Sequence, residues 1–192
     1  VTIALSIGVK RLLKKKALVR NLSAVETLGS CDVICTDKTG TLTEHQMTVR
    51  NAWTPDGEAT LTGSGYDPAG EVSGKIDSQL FRCGLICNNA SLDNDDSGGW
   101  RITGDPKEAA LLTSAAKTGV STAFRREDEL PFDSARKLMS VRGIDEGGES
   151  VMFTKGAPDA LLACCQRALV DGREVLLDDS LKERIESQNV AY

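Results

Sequence analysis

The stretch Cys31-Asp-Val-Ile-Cys-Thr-Asp-Lys-Thr-Gly-Thr-Leu-Thr43 constrains this chain more than any other. Its first part, Asp32 to Thr36, sets β-branched and apolar residues side by side, which predicts a short buried strand. Asp37 falls where that strand ends, and Gly40 gives the backbone freedom for a sharp turn. In open α/β sheets, ligands meet the protein at the carboxyl ends of the strands. A carboxylate there can act as a nucleophile toward a phosphoryl group and form an acyl phosphate. Lys38 offsets phosphate charge, and the hydroxyls and amides of Thr39 to Thr41 can line a phosphate site. A plain turn with Lys38 in solvent uses the same residues, so the short core Asp-Lys-Thr does not decide by itself.

The longer string Asp37-Lys-Thr-Gly-Thr-Leu-Thr43 resembles the phosphorylation signature of the P-type ATPases, the ATP-driven cation pumps. The flanking Val25-Glu-Thr-Leu-Gly29 and Glu44-His-Gln-Met-Thr-Val49 are similar to that family as well. The resemblance implies that Asp37 attacks the γ-phosphorus of ATP, with Lys38 and Thr39 in the same catalytic turn. It also implies that Mg²⁺ binds Asp37 and the backbone carbonyl of Thr39, with a third protein ligand outside this chain.

Composition supports a globular core built from aliphatics, since 40% of the 192 residues are hydrophobic and only 4% aromatic. The net charge of −5 is unevenly spread. No acid precedes Glu26, whereas Lys10, Arg11, Lys14, Lys15, Lys16 and Arg20 are basic. The rest is therefore strongly acidic, which argues against a nucleic-acid surface. Six cysteines without a CxxC, and one histidine (His45), make a zinc site a poor expectation and free thiols a better one. Val1 to Val9 is a largely apolar stretch of nine residues, far short of the roughly twenty a spanning helix needs. Within the resemblance it is the end of a membrane helix, running into a stalk with the basic flank typical of a cytoplasmic side. An amphipathic surface helix is the alternative.

Helical spacing of Leu5, Val9, Leu12 and Leu13 carries that first helix onward. Ser23 with Glu26 predicts the start of a short second helix. Met47 to Trp53 and Glu58 to Thr62 predict a hairpin about Thr54-Pro-Asp-Gly57, followed by a glycine-rich connector from Gly63 to Gly74. Asp77 caps an expected helix through Cys87, and Asn88 to Gly99 reads as an exposed loop. Asp105, Pro106 and Glu108 sit at N-cap, N1 and N3 of the clearest helix, which runs through Lys117. Glu129 to Asp133 leads into a strand expected from Lys137 to Arg142, and Ser150 to Thr154 should return beside it. A helix should follow from Gly156-Ala-Pro158 to Cys165, then a hairpin about Asp171-Gly172. Ser180 with Glu183 predicts a capping box for a last helix.

Three further segments carry chemistry through the resemblance. Gly104-Asp-Pro-Lys-Glu-Ala-Ala-Leu-Leu112 resembles the family's acidic helix beside adenine, which makes Glu108 the pocket acid. The helix-start role accounts for Glu108 equally well without a ligand. Pro131-Phe-Asp-Ser-Ala-Arg-Lys-Leu-Met-Ser-Val141 resembles the segment whose phenylalanine stacks on the base, pointing to Phe132, with Arg136 and Lys137 toward the ring or phosphates. Phe153-Thr-Lys-Gly-Ala-Pro-Asp159 is similar to the family's Lys-Gly-Ala-Pro-Glu, with Asp159 in place of the glutamate. There Lys155 faces the nucleotide and Gly156 permits its close approach. Taken singly, each could be a core phenylalanine or a solvated lysine; together they follow the family's order.

The resemblance, closest to type II pumps that include calcium pumps, implies three parts. Residues 1–22 end a membrane helix and stalk, 23–46 begin an incomplete Rossmann-like phosphorylation domain, and 47–192 form a nucleotide-binding domain. The expected fold class is α/β, an antiparallel sheet flanked by helices outside which Asp37 lies. The whole protein is expected in a membrane with this portion facing the cytoplasm, and its transported cation bound outside this chain. Two competing functions are a phosphatase of the haloacid-dehalogenase superfamily and a non-catalytic nucleotide-binding module. Those phosphatases usually carry an acid two residues after the nucleophile, where this chain has Thr39.

Overall fold

A computed structural model describes residues 2–38, 41–43, 46–94 and 98–192. The chain divides into two compact units, Val1–His45 and Gln46–Tyr192.

The first unit contains helices α1 (Thr2–Lys14) and α2 (Leu22–Gly29). The side-chain oxygen of Asn21 accepts from the Ser23 N–H at 3.2 Å and caps α2, so the helix begins one residue before the serine expected to cap it. The strand expected over Asp32 to Thr36 does not form; that stretch has no regular secondary structure and is exposed, with Val33 77% and Ile34 75% accessible. A strand is stabilised by ladder hydrogen bonds to a neighbour. No strand is present among the described residues of this unit, so the apolar run has nothing to pair with.

The second unit opens with a hairpin of β1 (Asn51–Thr54) and β2 (Gly57–Leu61), extended by β3 (Val72–Gly74), which lies within the glycine-rich connector. Helix α3 (Ser78–Ile86) follows, its first turn capped by Asp77, whose Oδ1 accepts from the Gln79 N–H at 2.8 Å. The stretch expected to be loop instead starts a second hairpin, β4 (Ser91–Asn94) with β5 (Trp100–Thr103). Only Leu92 and Ile102, directly paired, are apolar in its middle, too weak an alternation to announce a strand.

Helix α4 (Pro106–Thr118) begins as its capping residues dictate. Asp105 Oδ1 accepts from the Lys107 N–H at 2.8 Å, and Gly119 ends the helix in the left-handed region at φ 63°. Three strands form the largest ladder: β6 (Phe124–Asp133), β7 (Leu138–Asp145) and β8 (Ser150–Gly156), in that spatial order. Helix α5 (Pro158–Cys164), the hairpin β9 (Arg167–Val170) and β10 (Arg173–Leu176), and helix α6 (Asp179–Ala191) complete the unit. Asp178, not Ser180, caps α6, accepting from the Leu181 N–H at 2.8 Å. Among the described residues every strand pairing is antiparallel, but the ladders make four small sheets rather than one.

Two apolar clusters meet on α3. Phe81 packs with Ala52, Leu61 and Ala115, whereas Ile86 and Cys87, at the helix end, pack with Met139 and Val141 of β7. Gly84 lets α4 come close: a Cβ there would sit 3.4 Å from the Leu111 Cβ. Phe124 and Phe153 close the second cluster edge to face, with ring centroids 5.6 Å apart.

Truncating Leu61, 1% exposed, to alanine should cost about 2–5 kcal/mol through lost burial and a residual cavity. Leu176→Ala, at a side chain 72% exposed, should stay within about 0.5 kcal/mol. Urea unfolding curves of the two variants measure both, and equal losses would contradict the assignment of the core.

Candidate functional site

A cleft of about 690 Å³ opens between α3, α4 and the β6–β8 sheet. Leu80, Cys83 and Leu111 line it from the helices, and Met139 and Thr154 from the sheet. That size lies within the range typical of small-molecule sites, and apolar walls with a few polar groups are their usual make-up.

Glu108 reaches the cleft from the first turn of α4. Its Oε1 accepts from Lys155 Nζ at 2.7 Å and its Oε2 from the Asn89 N–H at 3.2 Å. Both members of the ion pair are about four-fifths shielded, with side chains 21% and 19% exposed, so water screens this pair less than one on the surface. Lys155 is carried on β8, where Met139 of β7 is its cross-strand partner.

Phe132 lies at the cleft near the end of β6, its ring 63% exposed. The β6–β7 register slips between Leu130 and Asp133, where Pro131 can donate no ladder hydrogen bond. Such bulges re-aim side chains, and an accessible aromatic beside an apolar cleft is the result.

Gly156 also lines the cleft, but its missing side chain answers first to the sheet. A Cβ there would lie 2.2 Å from the Lys137 carbonyl oxygen and 2.7 Å from Leu138 Cδ2. The close approach that glycine permits is therefore to the neighbouring strand.

Arg136 and Lys137 are not among the residues lining this cleft. Both sit in the turn from β6 to β7, where Asp133 Oδ1 accepts from the N–H groups of Ala135 (2.7 Å) and Arg136 (3.2 Å). Arg136 Nη2 donates to the Leu138 carbonyl at 3.0 Å. Lys137 takes a left-handed conformation, φ 57°, and its Nζ meets Asp159 Oδ2 at 2.9 Å. That hydrogen bond, with the Ala160 N–H, holds the Asp159 carboxyl below the usual carboxylate range. Lys137 still borders the site through its backbone, since its carbonyl accepts from the Ala157 N–H next to Gly156.

Asp37 and Lys38 belong to the other unit, where both are exposed and Asp37 Oδ1 accepts from the Lys38 N–H at 2.7 Å. Thr39 lies outside the described residues.

Residue reasoning did not single out Cys83 or the Asn88–Asn89 turn. Asn88 Nδ2 donates to the carbonyls of Gly84 and Glu108, both at 2.9 Å, tying the end of α3 to the start of α4. The signal available was a polar pair directly after an apolar helix, a place where a side chain can satisfy the last carbonyls. Cys83, whose thiol donates to the Thr154 carbonyl, is pushed up to about 11 by burial, against the opposing pull of Lys155.

The fold and cleft together define a mixed α/β domain with an apolar, charge-edged cleft. Residues 78–192 match the family model described as P-type ATPase, cytoplasmic domain N. The chain belongs to the P-type ATPases. It is 41% identical to a calcium-transporting ATPase of Bacillus subtilis, over 97% of this chain and 23% of that protein. It is 39% identical to calcium-transporting ATPase 1 of Lactococcus lactis, over all of this chain and 21% of the relative. For calcium-transporting ATPase type 2C member 1 of Bos taurus the identity is 36%, over 95% and 20%. The chain thus spans between a fifth and a quarter of the length of these relatives. No helix among the described residues is long and apolar enough to cross a membrane.

The thiol of Cys83 gives this site a pH signature. Because the folded value is raised from the ordinary 9.0, the protonated thiol favours the fold below pH 9. That stabilisation should disappear as pH rises toward about 11. Cys83→Ser or Cys83→Ala should flatten the part of the stability profile between pH 9 and 11, followed by denaturant titration. An unchanged slope in both variants would remove Cys83 as its source.

Proposed function

We propose that Gln46–Tyr192 binds ATP in the cleft of Glu108, Phe132 and Lys155, and that the whole protein is an ATP-driven cation pump phosphorylated on Asp37. The observation that carries the binding proposal is convergence. Three side chains far apart in sequence, from α4, β6 and β8, line one cleft of about 690 Å³. Phe132 offers its face to the base, and Glu108 and Lys155 hold the polar edge. Arg136 and Lys137 stand by the rim for the phosphates, Lys137 after it leaves Asp159.

In the pump, a carboxylate oxygen of Asp37 attacks the γ-phosphorus. The bond from that phosphorus to the oxygen bridging to the β-phosphate breaks, ADP leaves, and the acyl phosphate remains. Lys38 and Thr39 flank the carboxylate in this reading. Magnesium normally accompanies ATP, bound by carboxylates and substrate phosphates in octahedral geometry. In this chain the carboxylate of Asp37 would hold it, with the backbone carbonyl of Thr39, which lies outside the described residues. Calcium, named for several relatives, is the proposed cargo.

Binding should survive loss of the nucleophile. Phe132→Ala should weaken ATP about 5- to 150-fold, the worth of a base–aromatic stack of roughly 1–3 kcal/mol. Asp37→Ala should change affinity little. Calorimetric ATP titrations of both variants measure this, and the reverse order would move the pocket to the other unit.

Lys137 supplies an independent check. Asp159→Asn removes the carboxylate that engages its ammonium, so ATP should bind a few-fold tighter while AMP, which lacks the outer phosphates, should not change. Weaker ATP binding in Asp159→Asn would show that the aspartate helps the nucleotide instead of competing with it.

A further inference from the structure

We propose that Arg126 is a positioning residue of the cleft: it locks the Asn88–Asn89 turn, whose backbone N–H in turn holds the Glu108 carboxylate. The inference deepens the ATP-cleft reading and rests on it only for its effect on affinity.

The geometry begins with a bulge. Arg126 pairs with Gly143 and Asp128 with Arg142, so Glu127 is an extra residue in β6. In a regular strand, residues three apart point to opposite faces. The extra residue resets the alternation and brings Arg126 and Glu129 to one side, where Arg126 Nη2 meets Glu129 Oε2 at 2.6 Å.

From there the guanidinium grips the turn after α3. Nη1 donates to the Asn88 carbonyl at 3.0 Å, and Nη2 also donates to Asn89 Oδ1 at 2.8 Å. Asn89 Nδ2 returns a hydrogen bond to Glu129 Oε1 at 2.7 Å. Each carboxylate oxygen of Glu129 thus has a donor, and both polar atoms of the Asn89 side chain are used. What remains of Asn89 is its backbone N–H, and that donates to Glu108 Oε2. Asn88, 6% exposed, fixes the same helix turn through its bond to the Glu108 carbonyl. Arg126 is absent from the cleft lining, so its influence on a ligand runs through Asn89, which lines the cleft, and through the Glu108 carboxylate that the Asn89 N–H holds. A lysine cannot replace it, because one ammonium is a point charge without the planar fork that spans two carbonyl-type acceptors and a carboxylate.

The test uses the full chain, in two readouts. First, without nucleotide, the Asn89 amide resonance is followed by NMR in wild type, Arg126→Ala, Arg126→Lys and Glu108→Gln. All three variants should move that resonance, and Arg126→Lys should fail to restore it. An Asn89 amide unmoved in Arg126→Ala overturns the inference whatever the protein binds. Second, ATP is titrated into Arg126→Ala, Glu108→Ala and the double variant. Arg126→Ala should weaken ATP roughly tenfold, about the worth of one charge-assisted hydrogen bond, and should add almost nothing once Glu108 is gone. Equal, additive losses in both backgrounds would mean that Arg126 acts through the fold at large, and would reject the positioning role. If Arg126→Ala does not fold, Glu129→Gln and Asn89→Ala take its place with the same expected coupling to Glu108. If wild type does not bind ATP, the ATP-cleft reading falls, while the ligand-free Asn89 shift still decides this one.

Discussion

The second unit depends on one nine-residue helix being apolar on two sides. Phe81 commits α3 to the hairpin and α4, and Ile86 with Cys87 commits it to β7. Had the helix carried the usual single stripe, the two clusters would have no common wall. Gly84 sharpens the arrangement by letting α4 approach, and that approach carries Glu108 toward Lys155. Core packing and site geometry are the same fact here. Cys83 shows it most directly, since it packs against the second cluster and also lines the cleft.

The Glu108–Lys155 pair is held by more than its own attraction. An ion pair this well shielded loses solvation on both charges, and it repays that loss only when the remaining lone pairs are satisfied. The second oxygen of Glu108 is satisfied by the Asn89 N–H, and the polar side chains behind that turn are satisfied in their own right. Charge in the cleft is thereby fixed in place before any ligand arrives, which is the condition for selective polar recognition.

Much of this was legible in residues, and the limits have physical causes. Helix α4 was readable because Asp105, Pro106 and Glu108 act within one turn, and local chemistry decides a helix start. The β9–β10 hairpin was readable from Asp171-Gly172 for the same reason. Hairpin β4–β5 was not, because its strands are defined by each other rather than by an apolar alternation. Asp32 to Thr36 failed in the opposite sense, an apolar run with no partner strand in its unit. In the site, Glu108, Phe132 and Lys155 follow from motif resemblance, and the geometry then joins them. The turn at Asn88–Asn89 had no such pattern, since its importance comes from an arginine thirty-seven residues away whose aim depends on a bulge. Lys137 shows why a motif alone does not fix a partner: its ammonium rests on Asp159.

The two irregularities of β6 have one more effect. Among the described residues this strand pairs with β7 alone, and at ten residues it presents a long edge. Such an edge invites another chain to add itself by main-chain hydrogen bonding. Slipped register, a proline without an N–H, and the run Arg125 to Glu129 of consecutive charges all spoil that template. The kinks that aim Arg126 and Phe132 therefore also work against edge-to-edge pairing. Straightening β6 to tidy the sheet would blunt the cleft and trade a soluble edge for an aggregating one.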